Sequence, residues 1–435
     1  MFQRLMASAA VVTASFATVS ADNWPHWRGP TQNGISQEKN LPLKWSVQEG
    51  ITWKLPLPTL SGSTPIVWGD AIFLSVADGP GEGDPLSLWL VNRADGTVRW
   101  KQPMDTGNHK VRKGDMTSPS PITDGKTVWL MTGTGVIRAF DFAGKTLWTR
   151  DLQKDYGKFG LNHGYGSSPL PIEGDLVVQV LQGMHTDDPS YVLRIDGATG
   201  KTEWKVERPT DAIQESPDSY TTPTAVRQGK TTVEIVVTGG DVVTGHDPAT
   251  GRELWRSRGL NPGNNPFNRI IASPLAVDGI VFAPTRVKPM LAIKTGGRGD
   301  VTDTHRLWSF DKGPDVPTPV SDGKYLYVVD DRGVVHCLDV RTGTIVYGPE
   351  RLKPGTYSSS PVLAEGRIYI SNEDGLTSVF KAGPAFELLA ENPLEDYTLG
   401  SVATSDGQVF IRTAKHLFAI GTRTPAAKGS AAGRK

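Results

Sequence analysis

The stretch "HDPATGRELW", from His246 to Trp255, has four near-copies elsewhere in the chain. "VNRADGTVRW" ends at Trp100, "AFDFAGKTLW" at Trp148 and "IDGATGKTEW" at Trp204, while "LDVRTGTIVY" carries Tyr347 in place of the Trp. An opening recurs as well. Each copy begins with a Ser- or Thr-bearing stretch and a proline, at Pro65, Pro121, Pro169, Pro223, Pro274, Pro319 and Pro361, with Val402 in an eighth. Repetition at this period means one supersecondary unit packed against copies of itself.

Between opening and closing lie short alternating apolar runs such as "YLYVVD" and "QVFIRT", punctuated by Asp-Gly and Glu-Gly turns. Alternation of this kind predicts strands, and the turn glycines supply the positive φ of tight hairpins. Proline at the first strand position costs no ladder hydrogen bond. The unit is therefore four antiparallel strands that must stack to cover both sheet faces, which is a propeller blade. The last copy stops at "HLFAIG" (416–421) without a closing strand, and "EGITWKLPLP" near the start supplies one. The predicted architecture is an all-β, eight-bladed propeller over residues 51–421, its last blade completed by the N-terminal strand. The aromatics Trp53, Trp100, Trp148, Trp204, Trp255, Trp308 and Tyr347 are expected near the end of each last strand, plugging the gaps between blades. In blade seven Leu388 and Leu389 stand where the aromatic is missing.

The pattern Ala-x-Asp-x-x-Thr-Gly-x-x-x-Trp resembles the repeat of the pyrroloquinoline-quinone (PQQ)-like β-propeller superfamily, quinoprotein and BamB-like. "NWPHWRGPTQNGIS" (23–36) is similar to the leader of exported bacterial members. The resemblance implies the fold, and for the quinoprotein branch PQQ with calcium. It also implies adjacent cysteines stacked on the quinone, which this chain, with Cys337 alone, does not have. No cofactor role is carried onto a residue. Cys337 reads as a buried thiol on a strand.

Residues 1–21 have the Arg4 start, short apolar run and small-residue end of a cleaved signal peptide. No lipid-attachment Cys follows, so a periplasmic or secreted protein is expected, with 22–50 a lead-in segment and 422–435 a disordered tail. No further segment is apolar enough to span a membrane. The 46 basic and 46 acidic residues balance, leaving no footprint for nucleic acid.

Long connections after blades one to four crowd one face, where function sits on propellers and other rigid scaffolds. Residues just before each opening Pro are expected to approach the funnel there: His163, Tyr165, Tyr220, Asn268, Arg269, Asp315 and Tyr357. Arg286, Asp330 and Glu373 join them from second-strand ends. His163 with Tyr165 or Tyr220 forms the candidate acid–base set, and the others are candidate ligand contacts. The histidines lack metal-ligand spacing, and "DVTDTH" and "VVDDRG" read as solvated turns. The favoured function is a non-catalytic binding or scaffold propeller of the cell envelope, its partner a protein, a carbohydrate or a polar small molecule. The alternatives are a PQQ-dependent dehydrogenase of alcohols or sugars and a carbohydrate-active lyase.

Overall fold

In the computed structural model, residues 23–423 are described; the expected signal peptide, and the expected tail beyond Arg423, lie outside them. Eight antiparallel sheets follow one another around a ring. Blade 1 is Ile66–Trp68, Ala71–Ala77, Pro85–Asn92 and Val98–Thr106. Blades 2 to 7 span 122–151, 170–207, 224–258, 275–310, 320–351 and 362–393. Blade 8 takes three strands from 403–420, and Ile51–Pro56 is its outermost, with Trp53 opposite Ala419. Inner strands of neighbouring blades touch, blades 8 and 1 included, so the ring closes.

The closing aromatic is the third residue of each outer strand, near its start rather than its end as expected. This places the indole over the turn of the next blade. Indole N–H groups of Trp53, Trp100, Trp148, Trp204 and Trp308 donate to carbonyls of Arg93, Phe142, Gly197, Pro248 and Val340 at 2.8–3.2 Å. The Thr-Gly of the motif follows from the same contact. Gly200 has φ of 74°, and a Cβ there would lie 2.6 Å from the Trp148 ring. Only glycine meets both demands.

Two blades depart from the pattern. In blade 5 the turn is replaced by Lys294–His305, whose Gly299–Asp300 pairs in parallel beside Trp255 and Arg256. Trp255 has no neighbouring turn to dock on, is fully buried in its own sheet, and donates to Glu234 at 3.0 Å. In blade 7 register puts Ala390, not Leu388 or Leu389, at the aromatic position. The gap is filled from the lead-in segment. Trp45 stacks on Tyr369 with ring centres 6.5 Å apart, and its amide donates to Asn392.

The rest of the lead-in closes the channel on the side opposite the long loops. Trp24 exchanges backbone hydrogen bonds with Val67 of blade 1. Arg28, fully buried, donates to the carbonyls of Pro319 and Pro361 in blades 6 and 7 and to Asn33. Gln32 bonds Pro171 of blade 3 and Arg227 of blade 4. Ile35–Ser36 adds a parallel strand to blade 7, and Glu38 accepts from Gly407 of blade 8. A second device belts the channel. The residue before each opening Pro donates its amide to the hydroxyl of its counterpart in the next blade, from Thr64 through Ser120, Ser168, Thr222, Ser273, Thr318 and Ser360 to Ser401. Those seven bonds are 2.9–3.3 Å long.

Candidate functional site

The same register builds the funnel. The third residue before each opening Pro, or before Val402, lines a central cavity of about 740 Å³: Gly62, Ser118, Gly166, Tyr220, Ile271, Val316, Ser358 and Leu399. The residue one step earlier turns the other way, because successive side chains of extended chain point to opposite faces. Ser61, Thr117, Tyr165, Ser219, Ile270, Tyr357 and Thr398 are accordingly buried. Asp315 is at that earlier position too, yet it reaches the cavity.

This alternation sorts the sequence candidates. His163, Tyr220, Arg269, Arg286, Asp315 and Asp330 line the cavity. Tyr165 does not; its hydroxyl donates to the Gln179 carbonyl inside the blade interface. Tyr357 is fully buried with its hydroxyl on the Lys353 carbonyl, and Asn268 is fully buried against Asp241 and Thr285. Glu373 sits behind the wall, where it accepts from Lys113 at 2.7 Å, from Ser358 and from Tyr397. Burial works against its charge, but those three donors outweigh it and hold the carboxyl below its ordinary value. Lys113 reaches Glu373 of blade 7 from the connection after blade 1, so this loop straps the mouth.

Sequence reasoning missed Arg112, Lys113, Lys288, Asp331 and Arg332, which also line the cavity. The last two belong to "VVDDRG", which is no solvated turn. Asp331 accepts from the amides of Asp315 and Val316 at 2.8 and 2.9 Å, and burial raises its pKa. The signal available was the one-residue-per-blade register, together with cations clustered on second-strand turns.

Six cations and three carboxylates therefore face one another in the cavity: Arg112, Lys113, Arg269, Arg286, Lys288 and Arg332 against Asp315, Asp330 and Asp331. Burial, with Asp331 alongside, pushes Asp315 up to about 6, although Arg269, Arg286 and Lys113 pull the other way. Burial, then Arg269, lowers His163, whose Nε2 lies 3.3 Å from Glu215. Its amide donates to the Tyr220 hydroxyl at 3.0 Å, and burial raises that phenol. Glu373 and Glu215, behind the wall, offset Lys113 and part of Arg269, and the lining that faces the cavity still carries more cations than carboxylates.

A family profile described as "Outer membrane protein assembly factor BamB", built on the PQQ-like repeat, matches residues 39–158, 86–348 and 242–385. The chain belongs to this family. A curated relative, the outer membrane protein assembly factor BamB of Alkalilimnicola ehrlichii, is 28% identical over 152 residues, 32% of this chain and 38% of its own length. The chain thus spans well under half of that relative. Among solved structures, BamB from Moraxella catarrhalis superposes with a TM-score of 0.63 at 14% identity, covering 85% of this chain and 99% of that one. The quinohemoprotein alcohol dehydrogenase of Comamonas testosteroni gives 0.65 at 11%, covering 95% and 83%. A europium-containing methanol dehydrogenase gives 0.66 at 12%, covering 92% and 98%. At these identities the superpositions establish the shared fold.

The quinoprotein structures that share the fold raise the question of PQQ with a metal. The cations suit a polycarboxylate, but the donor set for a metal does not fit. Asp330 and Asp331 are engaged with backbone amides of their own surroundings, and among the described residues no three His, Cys, Asp or Glu side chains are placed to hold one metal ion. Cys337 is buried within blade 6.

Proposed function

We propose that this protein is a non-catalytic binding propeller of the cell envelope whose central cavity holds an anionic ligand. The observation that carries this reading is the excess of cations over carboxylates among the residues lining the cavity. Family membership supports an envelope setting, since the matched profile and relative are named as outer membrane assembly factors. No helix among the described residues is long and apolar enough to cross a membrane. A periplasmic or secreted location after signal cleavage, and a protein partner at the long-loop face, are parts of the same proposal.

The candidate acid–base set supports binding better than proton transfer. Tyr165 faces away, Tyr220 holds its proton tightly and has its oxygen fixed by an amide, and the His163 ring leans on Glu215. Calorimetric titration with PQQ, with and without calcium, together with dye-linked oxidation of alcohols and sugars, separates the readings. Binding that does not need calcium and no oxidation are expected. Calcium-dependent saturation with oxidation of an alcohol would replace the proposal with a dehydrogenase.

A further inference from the structure

Among the described residues, Arg269, Arg286 and Asp315 line the cavity without a side-chain hydrogen bond to the protein. Arg269 lies 3.8 Å from Glu215, and Arg286 lies 3.9 Å from Asp315, both beyond bonding distance. Among the described residues, the Asp315 carboxylate accepts no hydrogen bond, although its side chain is only 25% exposed. Arg269 is 14% exposed and its Nε is shielded without a partner. Other acidic groups nearby are engaged. Asp330 accepts from the amides of Arg332 and Val334, Asp331 from those of Asp315 and Val316, and Glu215 from Asn162. Arg286 is open to solvent, 43% exposed, but Arg269 and Asp315 are shielded and unsatisfied. Buried polar groups are ordinarily satisfied, so such a pair at a cavity marks where a ligand's own groups belong.

The unmet needs are of two kinds. Two guanidinium groups have a carboxylate in ion-pair range but no hydrogen-bond acceptor, and one carboxylate lacks a donor. A phosphomonoester dianion or a plain polycarboxylate supplies only the first. Resting on the anion-binding reading above, we infer that the ligand is an acidic sugar, a uronate or a short chain of them. Its carboxylate bonds Arg269 and Arg286, and a ring hydroxyl donates to Asp315. Charge-assisted bonds of this kind are the strong and directional ones. Tyr220 offers a flat aromatic wall, and Ile271, Val316 and Leu399 an apolar one, for the non-polar face of a pyranose.

The test is calorimetry of the intact protein with trigalacturonate, with its full methyl ester, and with tricarballylate, a tricarboxylate that carries no hydroxyl. Trigalacturonate is expected to bind at least tenfold more tightly than either of the others. Arg269→Gln and Asp315→Asn should each weaken it tenfold or more while leaving the circular dichroism spectrum unchanged. Equal affinity for trigalacturonate and tricarballylate in the native protein overturns the sugar assignment but leaves the anion site standing, whatever the variants do. Failure of every anion to bind overturns both. Binding followed by cleavage to an unsaturated product supports the acidic-sugar assignment and overturns the non-catalytic reading.

Discussion

Replacing Asp315 by Asn should make the protein more stable at neutral pH. The carboxyl titrates at about 6 in the folded protein against 3.8 for an unperturbed one, chiefly through burial and then Asp331. Between those values the folded chain holds a proton that the unfolded chain has lost. The contribution to stability is therefore full below about pH 4 and disappears as pH rises through about 6. Ionising the group in place costs about 3 kcal/mol if the whole displacement is counted. A quarter of the side chain is exposed, and Arg269, Arg286 and Lys113 face it, so about 1–2 kcal/mol is the better expectation. Asn has nothing to ionise. In a ring of this size the gain corresponds to about 1–3 °C in melting temperature. Differential scanning calorimetry at several pH values reads it: the two proteins should melt together near pH 4 and separate above pH 6, with Asn the higher. A variant less stable at pH 7.5, or a difference that does not change with pH, would refute the reasoning. The same substitution should weaken trigalacturonate binding tenfold or more, so stability and function are opposed at this one residue.

Three further outcomes follow from the scaffold. Trp148→Ala should cost about 3–5 kcal/mol in denaturant unfolding, and Trp148→Phe, which keeps the ring but loses the bond to Gly197, about 1–2 kcal/mol. Arg28→Met leaves the carbonyls of Pro319, Pro361 and Asn33 without their donor and should destabilise the ring by about 3 kcal/mol in urea. Cys337 is fully buried and its thiol is pushed up to about 12, so it should not react with a disulfide reagent until guanidinium unfolds the chain. Rapid stoichiometric reaction of the native protein would contradict that placement.

What the sequence made legible is what repeats. The strand order, the ring closure by Ile51–Pro56 and the docking role of the aromatics all follow from positions that recur in blade after blade. The aromatic stands near the start of its strand, not the end, because each outer strand runs on past it into polar sequence with no apolar alternation to announce it. Blade 7 illustrates the limit more sharply. "FELLAENP" offers two leucines to the eye, yet the register selects Ala390, and a tryptophan more than 300 residues away fills the space. Nothing local to either segment announces the other.

The site was half legible for the same reason. Proximity to the opening Pro located the funnel, but the parity of the step, with Asp315 and His163 as exceptions, sorts which side chains face it. Tyr220 and Tyr165 illustrate this, lying three and four residues before their prolines, one in the cavity and the other in a blade interface. Lys113 comes from a connection that does not repeat in length, so no alignment of the blades could place it, whereas Arg332 sits in a turn that blades 2 and 7 share. The plug formed by 24–36 is a single copy without internal precedent, and its Arg28 is recognisable as structural only once the ring around it is seen.

The most direct test of the central proposal, that the cationic funnel is the working surface, is hydrogen–deuterium exchange with and without saturating tricarballylate. This trianion probes the cavity without reference to sugar recognition. It should slow exchange at 111–114, 269–271, 286–288 and 330–332 at low ionic strength. The effect should fade at physiological ionic strength, where the screening length is about 8 Å. Protection confined to the outer strands, or none at either ionic strength, would contradict the assignment of the funnel as the site.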